Sequence, residues 1–308
     1  MNNLCPLCRG KAKLYLDYHK IGEGGSRANT SLSPKGDYKL LKCLACGLVY
    51  TDPIPDENFL NDFYQSYDSI GQKENYYKSI IHYQQTKGGR DLERFFLELA
   101  KKYKLNKESE ILDLGSGSGV FLDILKRNNF RALGVEISGA AVDFAREKFA
   151  VNCVVADVLK VNFEPGRFGA VFMWDLLEHL PRQQALIKKI GGWLAHGGYV
   201  VIETPNNNAL INGFILFLMD LGIVWPAAWM FGYHHLFLHS KKSLVKLLAD
   251  NGFRILEIHQ KNTAAKRIFP LKGKFFLPRI FLELLNGLAI IFNKKNKLII
   301  IAKYGADG

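Results

Sequence analysis

Two cysteine pairs stand near the start of the chain, Cys5-Pro-Leu-Cys8 and Cys43-Leu-Ala-Cys46, with 34 residues between them. Each C-x-x-C turn aims two thiolates at one point, so two turns supply the four soft ligands of a closed tetrahedral zinc site. Gly10 and Gly47 follow the turns where small residues let backbone amides face the sulfurs. The set leaves no open position, and the expected metal is structural. A redox dithiol, the rival chemistry, needs only one such pair. The fifth cysteine, Cys153, is expected to be a buried structural thiol.

A second constellation is Ile111-Leu-Asp113-Leu-Gly115-Ser-Gly117-Ser-Gly119. An apolar strand runs into a glycine turn and leaves as a helix, the arrangement that brings backbone close to a nucleotide. Glu136 ends the next strand, 21 residues after Gly115, placed to accept from ribose hydroxyls. Asp157 ends a third strand and can take the exocyclic amine of an adenine. Asp113 ahead of the glycines suits a cationic or amino-acid-bearing ligand. Val120 stands where the G-x-G-x-x-G of a dinucleotide site has its third glycine.

A third group is Asp175-x-x-Glu178-His179. On one turn of helix, positions i, i+3 and i+4 share a face and could converge on a divalent ion. The other reading has Glu178 bracing a loop and His179 lining a pocket as an acid/base group. His234, His235 and His239 come later in the chain. One of them either accepts a proton from a hydroxyl or amine nucleophile or ties a lid to the sheet, and His235 is the best placed.

The elements that must hold these residues alternate. Strands are expected at 111–114, 132–136, 153–156, 168–174, 199–203, 253–259 and 298–303. Helices fall at 90–103, 119–128, 139–149, 182–194 and 240–251, giving βαβ units and a parallel sheet. The 308 residues allow about two units. They divide as a zinc module at 1–55, a helical linker and pocket cover at 56–104, and an α/β domain at 105–308. The linker is rich in tyrosine (Tyr64, Tyr67, Tyr76, Tyr77, Tyr83), and residues 21–36 are expected to be a loop. Two insertions interrupt the domain. Residues 206–239 form an apolar lid with Phe214, Phe217, Trp225, Trp229 and Phe231, whose Asp220, Gly213, Gly222 and Pro226 argue against a membrane span. Residues 261–296 hold an apolar helix near 276–292 flanked by lysines and arginines, among them Lys266, Arg267, Lys272 and Lys274.

Hydrophobic residues at 48% and charged residues at 23% exclude a disordered, collagenous or coiled-coil chain. The net charge is +12, and residues 241–308 carry fourteen Lys/Arg against four Asp/Glu, which places +10 of it there. No secretory signal opens the chain, so a cytoplasmic protein is expected, at most peripheral at the inner face of a membrane.

With these residues in place, the chain resembles the class I S-adenosylmethionine-dependent methyltransferases over residues 90–303. Leu177-Glu-His-Leu-Pro181, Gly197-Gly198, Thr204-Pro-Asn206 and His235-Leu-Phe-Leu-His239-Ser240 are similar to the branch with ubiquinone-type O-methyltransferases and methyltransferases of bacterial surface-polysaccharide clusters. Members of that branch often carry an amino-terminal four-cysteine zinc module. The resemblance implies a Rossmann-like α/β fold, a seven-stranded methyltransferase sheet with one antiparallel edge strand (298–303), beside a zinc-ribbon-like module. It places Asp113, Gly115, Ser116, Gly117 and Gly119 around the methionine part of the donor, Glu136 and Ile137 at the ribose, and Asp157 and Val158 at the adenine. Trp174 and Asp175 would face the donor methyl. Glu178, His179 and His235 would serve the acceptor side, and the ubiquinone-type enzymes suggest a divalent metal on Asp175, Glu178 and His179. His234 replaces an arginine that many members have.

The expected acceptor is a small molecule or carrier-linked group: a sugar, a lipid-linked saccharide or a quinone-like ring. The basic apolar region could rest on an anionic membrane. RNA held by the zinc module and the basic carboxy-terminal region is the alternative. Against it, Trp174-Asp-Leu-Leu stands where base-amine methyltransferases carry Asn-Pro-Pro-Tyr, and the lysines are mixed with aliphatics, not stacking aromatics. A non-catalytic scaffold would not be expected to keep Asp113, Glu136 and Asp157 together.

Overall fold

Alternating apolar residues build the larger of two sheets. The computed structural model describes residues 4–17, 38–55, 87–224, 226–227, 231, 235–263 and 276–305. The linker tyrosines, the 21–36 loop, Trp225, Trp229, His234, Lys266, Arg267, Lys272 and Lys274 lie outside them. Seven strands are involved: β4 (Glu110–Leu114), β5 (Ala132–Glu136), β6 (Cys153–Val155), β7 (Phe168–Trp174), β8 (Leu194–Pro205), β10 (Phe253–Lys261) and β11 (Lys297–Tyr304). They lie in the order β10-β11-β8-β7-β4-β5-β6. Pairing is parallel from β6 to β8, and β11 runs antiparallel to both β8 and β10. The antiparallel strand is therefore not at the edge, as the sequence led us to expect. Its run Leu298–Ile301 is nearly fully buried, and it pairs on both sides, so β10 takes the edge.

The two sheet faces separate by residue parity. Leu112, Leu114, Val171, Met173, Val200 and Ile202 face one way, against α4 (Gln183–Trp193) and α6 (Lys241–Ala249) through Leu186, Ile190, Leu244 and Leu248. Ile111, Ala170, Phe172, Val201 and Ile299 face the other way. There they meet α1 (Lys87–Lys102), α2 (Val120–Arg127) and α3 (Gly139–Phe149) through Phe96, Phe121, Leu125 and Val142. This period of two sets the strands, and each fully buried large side chain contributes about 1.5–3 kcal/mol over exposure.

The second sheet has the order β1-β2-β3-β9, from β1 (Ala12–Asp17), β2 (Lys39–Cys43), β3 (Val49–Asp52) and β9 (Phe237–Leu238). Its fourth strand comes from the 206–239 insertion. Within that insertion, α5 (Leu210–Asp220) buries Ile215 against Leu16, Leu40 and Val49. Part of the apolar stretch is thus packed on the small sheet, while Phe217, Leu221 and Ile223 are exposed. No helix among the described residues is long and apolar enough to cross a membrane.

His239 joins the two halves and is fully buried. Its Nε2 donates to Gln183 Oε1 on α4 at 3.0 Å, and its Nδ1 lies 3.2 Å from Ser243 Oγ on α6. It is a structural histidine rather than a proton acceptor for substrate. Burial pushes its pKa from 6.5 down to about 3. Between those values the unfolded chain binds a proton that the native imidazole refuses. Stability therefore falls as pH drops below about 6.5, by up to about 1.4 kcal/mol per pH unit. His239→Gln should flatten the loss of urea-unfolding free energy between pH 7 and pH 5; an unchanged loss would assign the acid sensitivity to other groups.

Candidate active site

The glycine turn follows β4 directly. Gly115 and Ser116 donate to Val135 O at 2.8 and 3.1 Å, which pins the turn to the end of β5. Glu136 takes Gly117 N–H on Oε2 at 2.8 Å and Ser138 N–H on Oε1 at 3.0 Å. The carboxylate at the strand end is thus fixed by the loop it would serve. Gly117 has φ +51, and a Cβ there would meet nothing within 4 Å: it borders open space. At Gly119, φ +78, a Cβ would come within 2.7 Å of Ala145 Cβ, so this glycine is required for α2 to seat against α3.

Asp113 is nearly inaccessible, and burial, with the nearby Glu136 carboxylate, pushes its pKa well above the usual range. Its Oδ1 has no hydrogen-bond partner among the described residues. An orphaned buried carboxyl oxygen beneath a glycine turn fits a ligand that brings a cation or donor. Asp157 Oδ1 caps Leu159 N–H at 2.8 Å, and its Oδ2 lies 3.3 Å from Lys160. Val158 is buried in the core, whereas Ile137 is exposed beside Glu136. Cys153 is buried as expected, with Ser116 Oγ 3.1 Å from its sulfur. Trp174, at the end of β7, is held by Phe172 (5.8 Å, stacked), Phe121 (5.3 Å) and Phe95 (6.2 Å).

Beyond Trp174 the backbone turns sharply. Asp175 has φ +52, and the next regular element is a single 3₁₀ turn, Leu177–His179. Asp175 therefore does not share a helical face with Glu178 and His179, which corrects the expected metal triad. Its carboxylate instead pairs with Lys297 Nζ at the start of β11. The third partner of Glu178 and His179 is His235: the ligand atoms of the three residues lie within 4.8 Å of one another. The two imidazole rings are 5.0 Å apart, tilted by 47°. Glu178 is buried, its Oε2 accepts from Thr204 Oγ1 at 2.9 Å, and its Oε1 has no hydrogen-bond partner among the described residues. Burial first, and the Asp175 carboxylate second, push its pKa up to about 8. Lys297 also lies 3.9 Å from Glu203, which pairs in turn with Lys261. This charge network at the ends of β7, β8, β10 and β11 was invisible in the sequence, since Lys297 and Asp175 are 122 positions apart.

The four amino-terminal cysteines also converge, each sulfur within 4.8 Å of the others. Cys5–Cys46 and Cys8–Cys43 sulfurs are 3.7 and 3.4 Å apart, near the about 3.8 Å edge of a tetrahedron with 2.3 Å metal–sulfur bonds. Cys46 N–H points at Cys43 Sγ, 3.4 Å away. A Cβ on Gly10 would meet Ala45 Cβ at 2.8 Å, so that position must stay bare for the two turns to close.

Residues 81–258 match the family described as a methyltransferase domain. The ubiquinone biosynthesis O-methyltransferase of Coxiella burnetii (strain Dugway 5J108-111) is 26% identical over 185 residues, covering 56% of this chain and 73% of the relative. The enzyme of the same description from Alkalilimnicola ehrlichii is 30% identical over 105 residues, 32% of this chain and 42% of its own length. A crystal structure of a SAM-dependent methyltransferase from Archaeoglobus fulgidus superimposes with a TM-score of 0.50 at 22% identity, covering 73% of this chain and 99% of that one. The chain belongs to the methyltransferase-domain family and is a class I S-adenosylmethionine-dependent methyltransferase.

Proposed function

We propose that the enzyme methylates a small-molecule or carrier-linked acceptor, a sugar, a lipid-linked saccharide or a quinone-like ring, with His235 and His179 taking the acceptor's proton. The observation that carries this reading is the convergence of Glu178, His179 and His235 just past the end of β7, next to the glycine turn of β4. The ubiquinone-biosynthesis relatives support an oxygen acceptor on a ring.

S-adenosylmethionine supplies an electrophilic methyl on a sulfonium that leaves as a neutral thioether. Asp113, the Gly115–Gly119 turn, Glu136, Ile137, Asp157 and Val158 would hold it, with Trp174 and Asp175 at the methyl end. His179 and His235 would orient the acceptor hydroxyl in line with the donor's methyl–sulfur bond, and as the methyl passes to the oxygen and the thioether leaves, the hydroxyl proton would pass to an imidazole nitrogen. Most of the rate comes from alignment and exclusion of water, for which a well-placed nucleophile is worth about 7–11 kcal/mol. A divalent ion on Glu178, His179 and His235 is the rival arrangement; transfer that survives a chelator is what proton-accepting imidazoles predict. We also assign structural zinc to Cys5, Cys8, Cys43 and Cys46.

The test uses donor with a tritiated methyl, incubated with the purified enzyme and a cell extract, which is then separated into RNA, lipid and aqueous small-molecule fractions. Label in the lipid or aqueous fraction is expected. Label confined to RNA would overturn the acceptor class and make the basic region the substrate grip.

A further inference from the structure

The helix inserted between β10 and β11, α7 (Phe276–Ile291), has two apolar faces where a surface helix has one. Leu282, Leu285 and Ala289 form the buried face. Phe281 contacts Phe214 of α5 with ring centroids 4.8 Å apart, and Asn286 Nδ2 donates to Thr263 O at 3.2 Å, so the helix is anchored to the domain. On its other side, Ile280, Leu284, Leu288 and Ile291 recur at i, i+4, i+8 and i+11, and they are 39%, 64%, 44% and 75% exposed. Phe292, directly after the helix, is 61% exposed. Among the described residues nothing covers this stripe. A contiguous ridge of this kind marks an interaction surface.

Charge selects the occupant. Residues 261–297 carry nine Lys/Arg and one acidic residue, Glu283. Arg279 pairs with Glu283 at 3.0 Å, Lys261 with Glu203 and Lys297 with Asp175, which leaves an excess of positive charge in the segment. Lys294, exposed, follows the apolar stripe directly, and Lys295 is beside it. An apolar ridge that ends beside the exposed Lys294, in a segment with excess positive charge, complements an anionic bilayer, where the side chains enter the acyl boundary and the lysines meet headgroup phosphates. A second copy of the chain would set the same positive charges against each other. RNA would meet aliphatic side chains where it needs stacking surfaces. We propose that the exposed face of α7 docks the enzyme on an anionic membrane surface. The helix lies in that surface without crossing it, and its end is joined through Lys294–Asn296 to Lys297 at the acceptor side of the site, so a docked enzyme presents its site close to lipid-borne acceptors.

Co-flotation of the full chain with vesicles tests this. Vesicles of phosphatidylcholine with 30% phosphatidylglycerol should capture it, vesicles of phosphatidylcholine alone should capture at least tenfold less, and 0.5 M salt should release part of the bound protein. Leu284→Glu with Leu288→Glu should lower capture at least tenfold while leaving S-adenosylmethionine binding unchanged. That donor titration keeps failure of docking separate from failure of the methyltransferase assignment. An Ile291→Trp variant supplies a readout independent of the double variant, since its added fluorescence should be quenched by brominated lipid in the anionic vesicles. No capture by anionic vesicles, capture unchanged in the double variant, or absence of that quenching would overturn the proposal. So would a wild-type dimer that the double variant splits, or retention of the wild type on RNA in place of vesicles.

Discussion

Asp113→Asn is expected to weaken S-adenosylmethionine binding by at least a hundredfold, about 2.7 kcal/mol, while leaving the unliganded protein as stable as the wild type or more so. The two signs come from one environment. Asp113 is buried beneath the glycine turn, faces the Glu136 carboxylate, and has an oxygen with no partner among the described residues. Without ligand, a carboxyl here costs free energy, because burial and the neighbouring acid both disfavour its charge. An amide of the same shape removes that cost. With ligand, the ionised carboxylate would be the group that meets the donor's cationic part, and an amide cannot replace it. Calorimetric titration with S-adenosylmethionine and urea unfolding without it give the two halves. Unchanged affinity in Asp113→Asn would remove Asp113 from the donor site. A large loss of stability would show that the wild-type carboxyl is satisfied by the protein itself.

Cys5→Ser is expected to have the larger structural effect: bound zinc falls from one per chain to none, and unfolding free energy drops by at least about 3 kcal/mol. Cys5 is fully buried among Leu41, Leu48, Tyr50 and the other cysteines, so loss of the metal opens a core. The effect should also reach the acceptor side. Leu236 O accepts Thr51 N–H at 2.9 Å and Leu236 N–H donates to Glu178 O at 2.9 Å, so the small sheet and the Glu178 turn share one residue, next to His235. Ser240 Oγ donates to Cys46 O at 2.6 Å, and Asn207 Nδ2 donates to Gly47 O at 2.9 Å. Methyl transfer should therefore fall in Cys5→Ser while S-adenosylmethionine affinity stays near wild type. Metal analysis showing full zinc occupancy would refute the four-thiolate site, and undiminished transfer would uncouple the module from His235.

The grouping of Asp113, the glycines and Glu136 in the proposed donor half of the site was legible in the sequence because it is local. Asp113 and the glycines lie within one strand and turn, and Glu136 ends the next strand, so βαβ periodicity alone places them together. The cysteines were legible for the same reason, since C-x-x-C spacing is a property of a single turn. The acceptor half depends on long-range pairing. One of the two readings of Asp175, Glu178 and His179 put them on one helical face, but the left-handed Asp175 breaks the helix and turns its carboxylate to Lys297. No periodicity could signal that contact across an insertion. The position of β11 was missed for a related reason. A terminal strand read in chain order falls at the edge, whereas pairing with both β8 and β10 hides its fully apolar run, Leu298–Ile301. The packing of Ile215 in the apolar stretch on Leu16, Leu40 and Val49 of the small sheet was not legible for the same reason, since those partners are more than 160 positions away.

The most direct test of the account is photolabelling of the purified enzyme with methyl-tritiated S-adenosylmethionine under ultraviolet light, followed by peptide mapping. Label should fall on the peptides carrying Asp113–Gly119, Glu136–Ile137 or Trp174–Asp175, the ends of β4, β5 and β7, and S-adenosylhomocysteine should abolish it. Competed label confined to the cysteine module or to α5 would contradict the site, and label that S-adenosylhomocysteine does not displace would contradict donor binding at these strand ends.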